Sequence, residues 1–167
     1  MPSGKMSLCL MPLTLTLMLG LTVSIPPLSA GVIVLEGSDA NGVHCSQPGE
    51  QTYANELLAG LKGSSTLPIL VLKTSFTPAC SIDSSPVPHA FAISLATATP
   101  AFNASNYSAL YIMSPGGCCD DGRTLVSAAD QAAIAAFIAA GGSLGIQDFQ
   151  GADWGPALGF KAPRARR

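Results

Sequence analysis

Four short runs of apolar residues recur along the chain, and in the first of them apolar and polar positions do not alternate. The runs are "GVIVLEG" at 31–37, "LPILVLK" at 67–73, "YSALYIMS" at 107–114 and "SLGIQDF" at 143–149. Runs of this length without alternation are typical of strands that are buried on both faces, as in a parallel sheet. The pattern therefore predicts about four parallel core strands.

Two segments between these runs have the periodicity of a helix. In residues 51–63 the apolar side chains fall on one face, and Gly63 ends the pattern. In residues 127–142 Ser127 is placed to cap a helix, and Asp130 lies near its positive end. The predicted core faces of the two helices consist of Tyr53, Leu57, Leu58 and Leu61, and of Ile134, Phe137 and Ile138.

The order of these elements predicts an α/β protein with a three-layer, flavodoxin-like parallel sheet. The simplest strand order is 2-1-3-4, which places the first strand between the second and the third. The segment 74–106 is harder to assign, and its apolar patch "HAFAISLA" fits either a helical turn or a short strand. The fourth strand would leave an apolar edge unpaired, which predicts a partner, a homodimer through that edge, or a truncated chain that lacks further C-terminal strands.

The first 30 residues have the pattern of a secretory signal peptide. A start with Lys5 as its one charge is followed by an apolar stretch over 8–23 and by the exit "SIPPLSA". The alternative is an uncleaved membrane anchor, but the apolar stretch is shorter than the ~20 residues that span a bilayer. We expect cleavage after Ala30, export to a secreted or periplasmic location, and no other membrane contact.

Charge divides the rest of the chain into a body and a tail. Residues 31–160 hold ten acidic and three basic residues, and we expect them to form one domain. The acidic body argues against nucleic-acid binding. The last seven residues, 161–167, carry four basic side chains, and we expect a disordered tail, although contact with an anionic surface is an alternative.

The loop "IMSPGGCCDDGRT" at 112–124 places two cysteines beside two aspartates. In an exported chain, an even number of cysteines predicts disulfides, here without a defined pairing. Two other interpretations have less support. A zinc site that includes His44 would need metal-ligand spacing, and a reactive cysteine thiol would need a nucleophile motif, and the sequence contains neither. We therefore expect no metal and no cofactor. The cysteines concerned are Cys45, Cys80, Cys118 and Cys119. Asn103 and Asn106 are candidate N-glycosylation sites if the host glycosylates.

In a parallel sheet the loops after the strands meet at one edge, where α/β folds bind their ligands. The candidate ligand-binding residues at this edge are Glu36, Ser38, Asp39, Gln147 and Asp148. An acid/base site is the alternative, with Asp39, His44 and Asp148 as weak candidates for catalysis.

Residues 107–154 resemble the class I glutamine-amidotransferase-like (GATase-like) superfamily, and most closely its ThuA-like (trehalose-utilisation) domains. The matching positions are Phe137, Ile138, Ala140, Gly141, Gly142, Gly145 and Ile146. The resemblance implies a GATase-like fold. The family's nucleophilic cysteine would follow the fourth strand, where this chain has Gln147, Asp148 and Phe149, and the ThuA-like histidine is replaced by Gln147. The resemblance therefore argues against amidotransferase chemistry.

Together these features predict an exported, non-catalytic or degenerate domain that binds a small polar ligand, with a carbohydrate as the leading example. A hydrolase that acts on a sugar or an amide through an Asp/His site is one alternative. A structural module of the cell surface is the other. We lean towards a protein that is not an enzyme.

Overall fold

The computed structural model describes residues 31–36, 47–73, 80–113 and 127–147, which form a parallel sheet with helices on both faces. The strands are β1 Ile33–Glu36, β2 Ile69–Leu72, β3 His89–Ala92, β4 Ala109–Met113 and β5 Ser143–Gln147. The helices are α1 Glu50–Lys62, α2 Cys80–Asp83 and α3 Ala128–Ala139, with a 3-10 turn at Leu95–Thr97. The predicted α/β class with an all-parallel sheet is confirmed. In the described part of the chain no helix is long and apolar enough to cross a membrane.

The strand order is β1-β5-β4-β2-β3, so the predicted order 2-1-3-4 is wrong. The three central strands β5, β4 and β2 are buried at every position, whereas β1 is not. Ile33 and Leu35 of β1 are 41% and 47% exposed. An apolar run alone does not distinguish a central strand from an edge strand, because the difference depends on what covers it.

A fifth strand, β3, lies in the apolar patch "HAFAISLA", for which the sequence allowed either a helical turn or a short strand. It pairs with β2, from Ile69 beside His89 to Leu72 beside Ala92. The prediction that the last strand leaves an unpaired edge is wrong, because β5 lies between β1 and β4. Among the described strands the edges are β1 and β3. The homodimer stays a prediction, and it would have to use one of these edges.

The connections divide between the two faces of the sheet according to the direction in which the chain crosses it. From the edge strand β1 the chain crosses the sheet to β2 and then to the opposite edge strand β3. On these crossings Leu58 of α1 and Ile82 of α2 pack on one face of the sheet, here called the α1 face. The chain then returns through β4 to β5, and Leu95 and Ile134 pack on the opposite face, the α3 face. This change of face is the arrangement expected when parallel crossovers are right-handed.

The two predicted helices are confirmed, with their caps. The Ser127 Oγ accepts from the Asp130 amide at 3.1 Å, and the Asp130 carboxylate accepts from the Ser127 amide at 2.9 Å. Gly63 ends α1 with a positive φ of 55°, where its amide donates to Ala59. On the predicted core face of α1 the three leucines are buried, but Tyr53 is 39% exposed.

Candidate ligand-binding site

The carboxyl ends of β1, β5 and β4 bring three side chains together on the α1 face. Glu36 is paired in register with Gln147, and Gln147 with Met113. Residues in register on neighbouring strands point to the same side of a sheet. The predicted pair Glu36 and Gln147 therefore lies at the edge where open α/β sheets bind ligands.

Tyr111 of β4 reaches across the neighbouring strand β5 to Glu36 of β1. Its hydroxyl donates to Oε2 of Glu36 at 2.8 Å, and the bond is buried. The residue of β5 that it crosses is Gly145, where an added Cβ would lie 2.7 Å from Tyr111 Cδ2 and 2.7 Å from Leu61 Cδ1. The missing side chain of Gly145 thus leaves the space that the tyrosine ring occupies.

Tyr53 of α1 supplies a second phenol to the same carboxylate through a side-chain hydrogen bond. Burial, the charge of Glu36 and this hydrogen bond, in that order, raise the pKa of Tyr53 to about 12. Each of these causes favours the neutral phenol, because ionisation would place a second negative charge beside Glu36. Tyr53 is therefore a hydrogen-bond donor throughout the neutral range.

Glu36 is a buried carboxylate, with a side chain only 5% exposed. Removing a charge from water is costly unless hydrogen bonds compensate for the lost hydration. Tyr111 and Tyr53 provide two such bonds from neutral donors. We refer to Glu36, Tyr53, Tyr111 and Gln147 as the Glu36 site.

Gln147 is the least satisfied member of the Glu36 site. Its residue is 2% exposed, and its Nε2 has no hydrogen-bond partner in the structure as described. A buried amide without a partner costs roughly 1–3 kcal/mol. An unpaired donor next to a charged acceptor is an arrangement that a polar ligand can complete.

Of the predicted ligand-binding residues, the structure places Glu36 and Gln147 side by side. The others, Ser38, Asp39 and Asp148, lie outside the described residues, as does His44. All three residues of the proposed acid/base set, Asp39, His44 and Asp148, therefore lie outside the described residues.

The predicted disulfides also stay a prediction. Cys80 is the first residue of α2, in the connection that follows β2. Cys45, Cys118 and Cys119 lie outside the described residues. Over the described ranges, no group of three or more His, Cys, Asp or Glu side chains is placed to hold a metal ion.

The two glycosylation sequons lie on a turn between β3 and β4, as expected for a surface loop. The side chain of Asn103 is exposed, and its Oδ1 accepts from the Ser105 amide at 2.9 Å. Asn106 is half-buried, and its Nδ2 donates to the Ala101 carbonyl at 2.7 Å. Asn103 is therefore the more accessible of the two acceptors.

Sequence reasoning missed both tyrosines of the Glu36 site. The helical periodicity predicts Tyr53 as a core residue of α1, and the apolar run predicts Tyr111 as one residue of a buried strand. A usable signal was present, since a buried tyrosine needs a partner for its hydroxyl. In the strand "ALYIM", Tyr111 is the one side chain with a hydrogen-bond donor. The sequence does not show that the partner is Glu36, which lies 75 residues away.

Neither the models of protein families, nor the curated proteins, nor the solved structures gave a match to this chain. The resemblance to the GATase-like superfamily therefore stays a prediction.

Proposed function

We propose that this protein is an exported binding protein that holds a small polar ligand, such as a carbohydrate, at the Glu36 site without catalytic turnover. The proposal places the site on a flavodoxin-like or GATase-like sheet. The observation that carries it is the unpaired Nε2 of Gln147 beside the carboxylate of Glu36. A single hydroxyl group of a ligand can accept from the amide and donate to the carboxylate.

The two phenols support a polar ligand rather than an apolar one. Tyr111 is fully buried, and its hydroxyl donates to the Glu36 carboxylate within the core. Tyr53 is partly exposed to solvent. A ligand that bonds the Tyr53 hydroxyl would extend the Tyr53–Glu36–Tyr111 chain of hydrogen bonds. Sugars and polyols carry several hydroxyl groups that both donate and accept, and they fit such a row of mixed partners.

The same residues give less support to hydrolysis. Glycoside hydrolysis commonly uses two carboxyl groups on opposite sides of the scissile bond. The Glu36 site, within the described ranges, has one carboxylate, and both tyrosines hydrogen-bond to it. The hydrolase alternative would depend on Asp39, His44 and Asp148, and it is an outcome of the test below.

The test is a thermal-shift screen of the secreted protein with a panel of monosaccharides, disaccharides and polyols. A ligand that binds the folded state raises the Tm in a saturable way. We expect Gln147→Leu to abolish this rise, because the variant lacks the amide donor. The matched control is Gln131→Leu on α3, which packs on the opposite face of the sheet and should leave the rise unchanged.

Two results would contradict the proposal. If no member of the panel raises the Tm, or if Gln147→Leu responds like the wild-type protein, the Glu36 site is not the ligand site. If the wild-type protein releases product from chromogenic glycosides or amides, and Asp148→Asn does not, the protein is a hydrolase.

A further inference from the structure

The backbone of Gly31 lies against Gly141 and Gly142, the two residues that follow α3 and its C-cap Ala140. A Cβ added at Gly31 would lie 2.1 Å from the carbonyl oxygen of Gly142 and 3.0 Å from that of Gly141. The next residue fixes this position: the Val32 amide donates to Ser143 Oγ at 3.2 Å, and the Val32 carbonyl accepts from the Leu144 amide at 2.8 Å. The amino end of β1 is thus held beside the end of this helix.

The C-terminal end of α3 lacks a cation of its own. Aligned peptide dipoles give a helix a negative C-terminal end, which basic side chains commonly stabilise. The last turn of α1 contains Lys62, and the Lys62 ammonium donates to the Ser65 carbonyl. The last turn of α3 contains no basic residue. The two helices end near each other, yet one has a charge partner within its last turn and the other has not.

The predicted signal-peptide cut falls next to this position. Hydrolysis of the Ala30–Gly31 bond consumes one water molecule, leaves a carboxylate on Ala30 and frees an α-amine on Gly31. That amine is largely protonated at neutral pH, since its ordinary pKa is ~7.7–8.0. Before the cut, the same nitrogen belongs to a neutral amide.

We propose that cleavage after Ala30 creates the missing cation of α3: the α-ammonium of Gly31 lies just beyond the C-terminal end of this helix and hydrogen-bonds to the carbonyls of Gly141 and Gly142. Processing then does more than remove a targeting segment, because it adds a charge that stabilises the mature fold. The inference rests on the export part of the proposed function and is independent of ligand binding.

The surroundings of Gly31 suit an ammonium group. Gly31 lines a cavity of about 290 Å³ at the amino ends of the strands, between the C-terminal ends of α1 and α3. Among the described residues Lys62 is the charged residue that lines it, and its ammonium already bonds to Ser65. The residues with hydroxyl groups in the cavity wall are Ser64, Ser65, Tyr107, Ser108 and Ser143. Three N–H donors would therefore face acceptors or water.

The first step of the test is to express the full chain in a secreting host and to sequence the N-terminus of the exported protein. We expect Gly31 as the first residue. A mature chain that starts at any other residue would overturn the inference, and it would leave the ligand-binding proposal untouched.

The second step measures the pKa of the Gly31 amine from the pH dependence of its acylation rate, followed by mass spectrometry of the N-terminal peptide. We expect the pKa in the folded protein to lie about 0.5 pH unit above its value in the urea-unfolded chain. Equal values in the two states would refute the ammonium contact, even if the cut is where we expect it.

Two lysine variants make the measurement specific to the helix end. Ala136→Lys introduces a cation at an exposed position in the last turn of α3. It should lower the Gly31 pKa back towards the unfolded value, because the two positive charges repel and share the same carbonyls. Ala129→Lys introduces the same charge in the first turn of α3, and it should leave the Gly31 pKa unchanged.

Discussion

The hydroxyl of Tyr111 lies 2.8 Å from a carboxylate oxygen of Glu36, and the two residues belong to strands that are separated by β5. The bond spans the amino-acid sequence from the first described strand to the fourth. It fixes the Glu36 carboxyl group at the carboxyl edge of the sheet, next to Gln147. The stability and the binding chemistry of this edge therefore depend on the same few residues.

Replacing Tyr111 by phenylalanine should cost about 1.5–3 kcal/mol of unfolding free energy, because it removes a hydrogen bond to a buried charge. Urea denaturation followed by circular dichroism measures the change. Tyr107→Phe is the matched control, since it removes a bond at 2.9 Å to the neutral carbonyl of Pro100, and it should cost ~0.5–1.5 kcal/mol.

A double-mutant cycle tests whether Glu36 is the reason for the larger cost. With Glu36→Gln in place, Tyr111→Phe should become less destabilising, because the charged acceptor is gone. Additive effects of the two substitutions would show that the Tyr111–Glu36 bond is not what stabilises this edge.

Gly145→Ala should destabilise the protein by about 1–3 kcal/mol, because the added methyl group would overlap the Tyr111 ring and the Leu61 side chain. Gly60→Ala in α1 is the control, with nothing within 4 Å of its added Cβ. It should stabilise the protein by ~0.5–1 kcal/mol through helix propensity. Thermal unfolding of both variants measures the contrast, and a loss of stability in both would contradict the explanation.

The protein should lose stability as the pH rises from about 10 to about 12, in part because of Tyr53. The folded state keeps the Tyr53 proton in this range, whereas the unfolded chain, with a pKa of 10.0, releases it. The unfolded state then binds fewer protons, so the free energy of unfolding falls as the pH rises. Below pH 10 the contribution is fully present.

Tyr53→Phe should reduce the slope of stability against pH within this window. Spectrophotometric titration should also show one fewer tyrosine with a raised pKa, although Tyr107 remains as a second late-titrating group because burial raises its pKa as well. An unchanged titration curve in Tyr53→Phe would be evidence against the contact between Tyr53 and Glu36.

Without ligand, Gln147→Leu should be at least as stable as the wild-type protein, and more stable by up to ~1–3 kcal/mol. The substitution removes a buried amide whose Nε2 has no partner among the described groups, at similar side-chain volume. Equilibrium unfolding in urea measures this. A loss of stability would mean that the amide contributes to the fold rather than to binding.

In a glycosylating host, Asn103 should be the modified asparagine, because it is exposed whereas Asn106 is half-buried. Ser105→Ala removes the Asn103 sequon at an exposed position and should eliminate the glycan mass. If the glycan persists in this variant, Asn106 is the acceptor.

The amino-acid sequence by itself determined the kinds of element and much of their local chemistry. Apolar runs without alternation specify buried strands, as in β2 and β4, because such segments gain most when both faces leave water. The Ser127–Asp130 capping box specifies the start of α3 through hydrogen bonds within three residues. The sequence also predicted that Glu36 and Gln147 lie at the same edge of the sheet, because parallel strands have their carboxyl ends at one edge.

Only the tertiary structure decided which strands are neighbours and which side chains meet. The first three residues of β1 are as apolar as those of β2, yet β1 is an edge strand with Ile33 and Leu35 exposed. The partners of Glu36 come from α1 and from β4, so they depend on strand order and on the space left by Gly145. Such long-range pairings are set by the packing of the whole sheet, and no local pattern of residues encodes them.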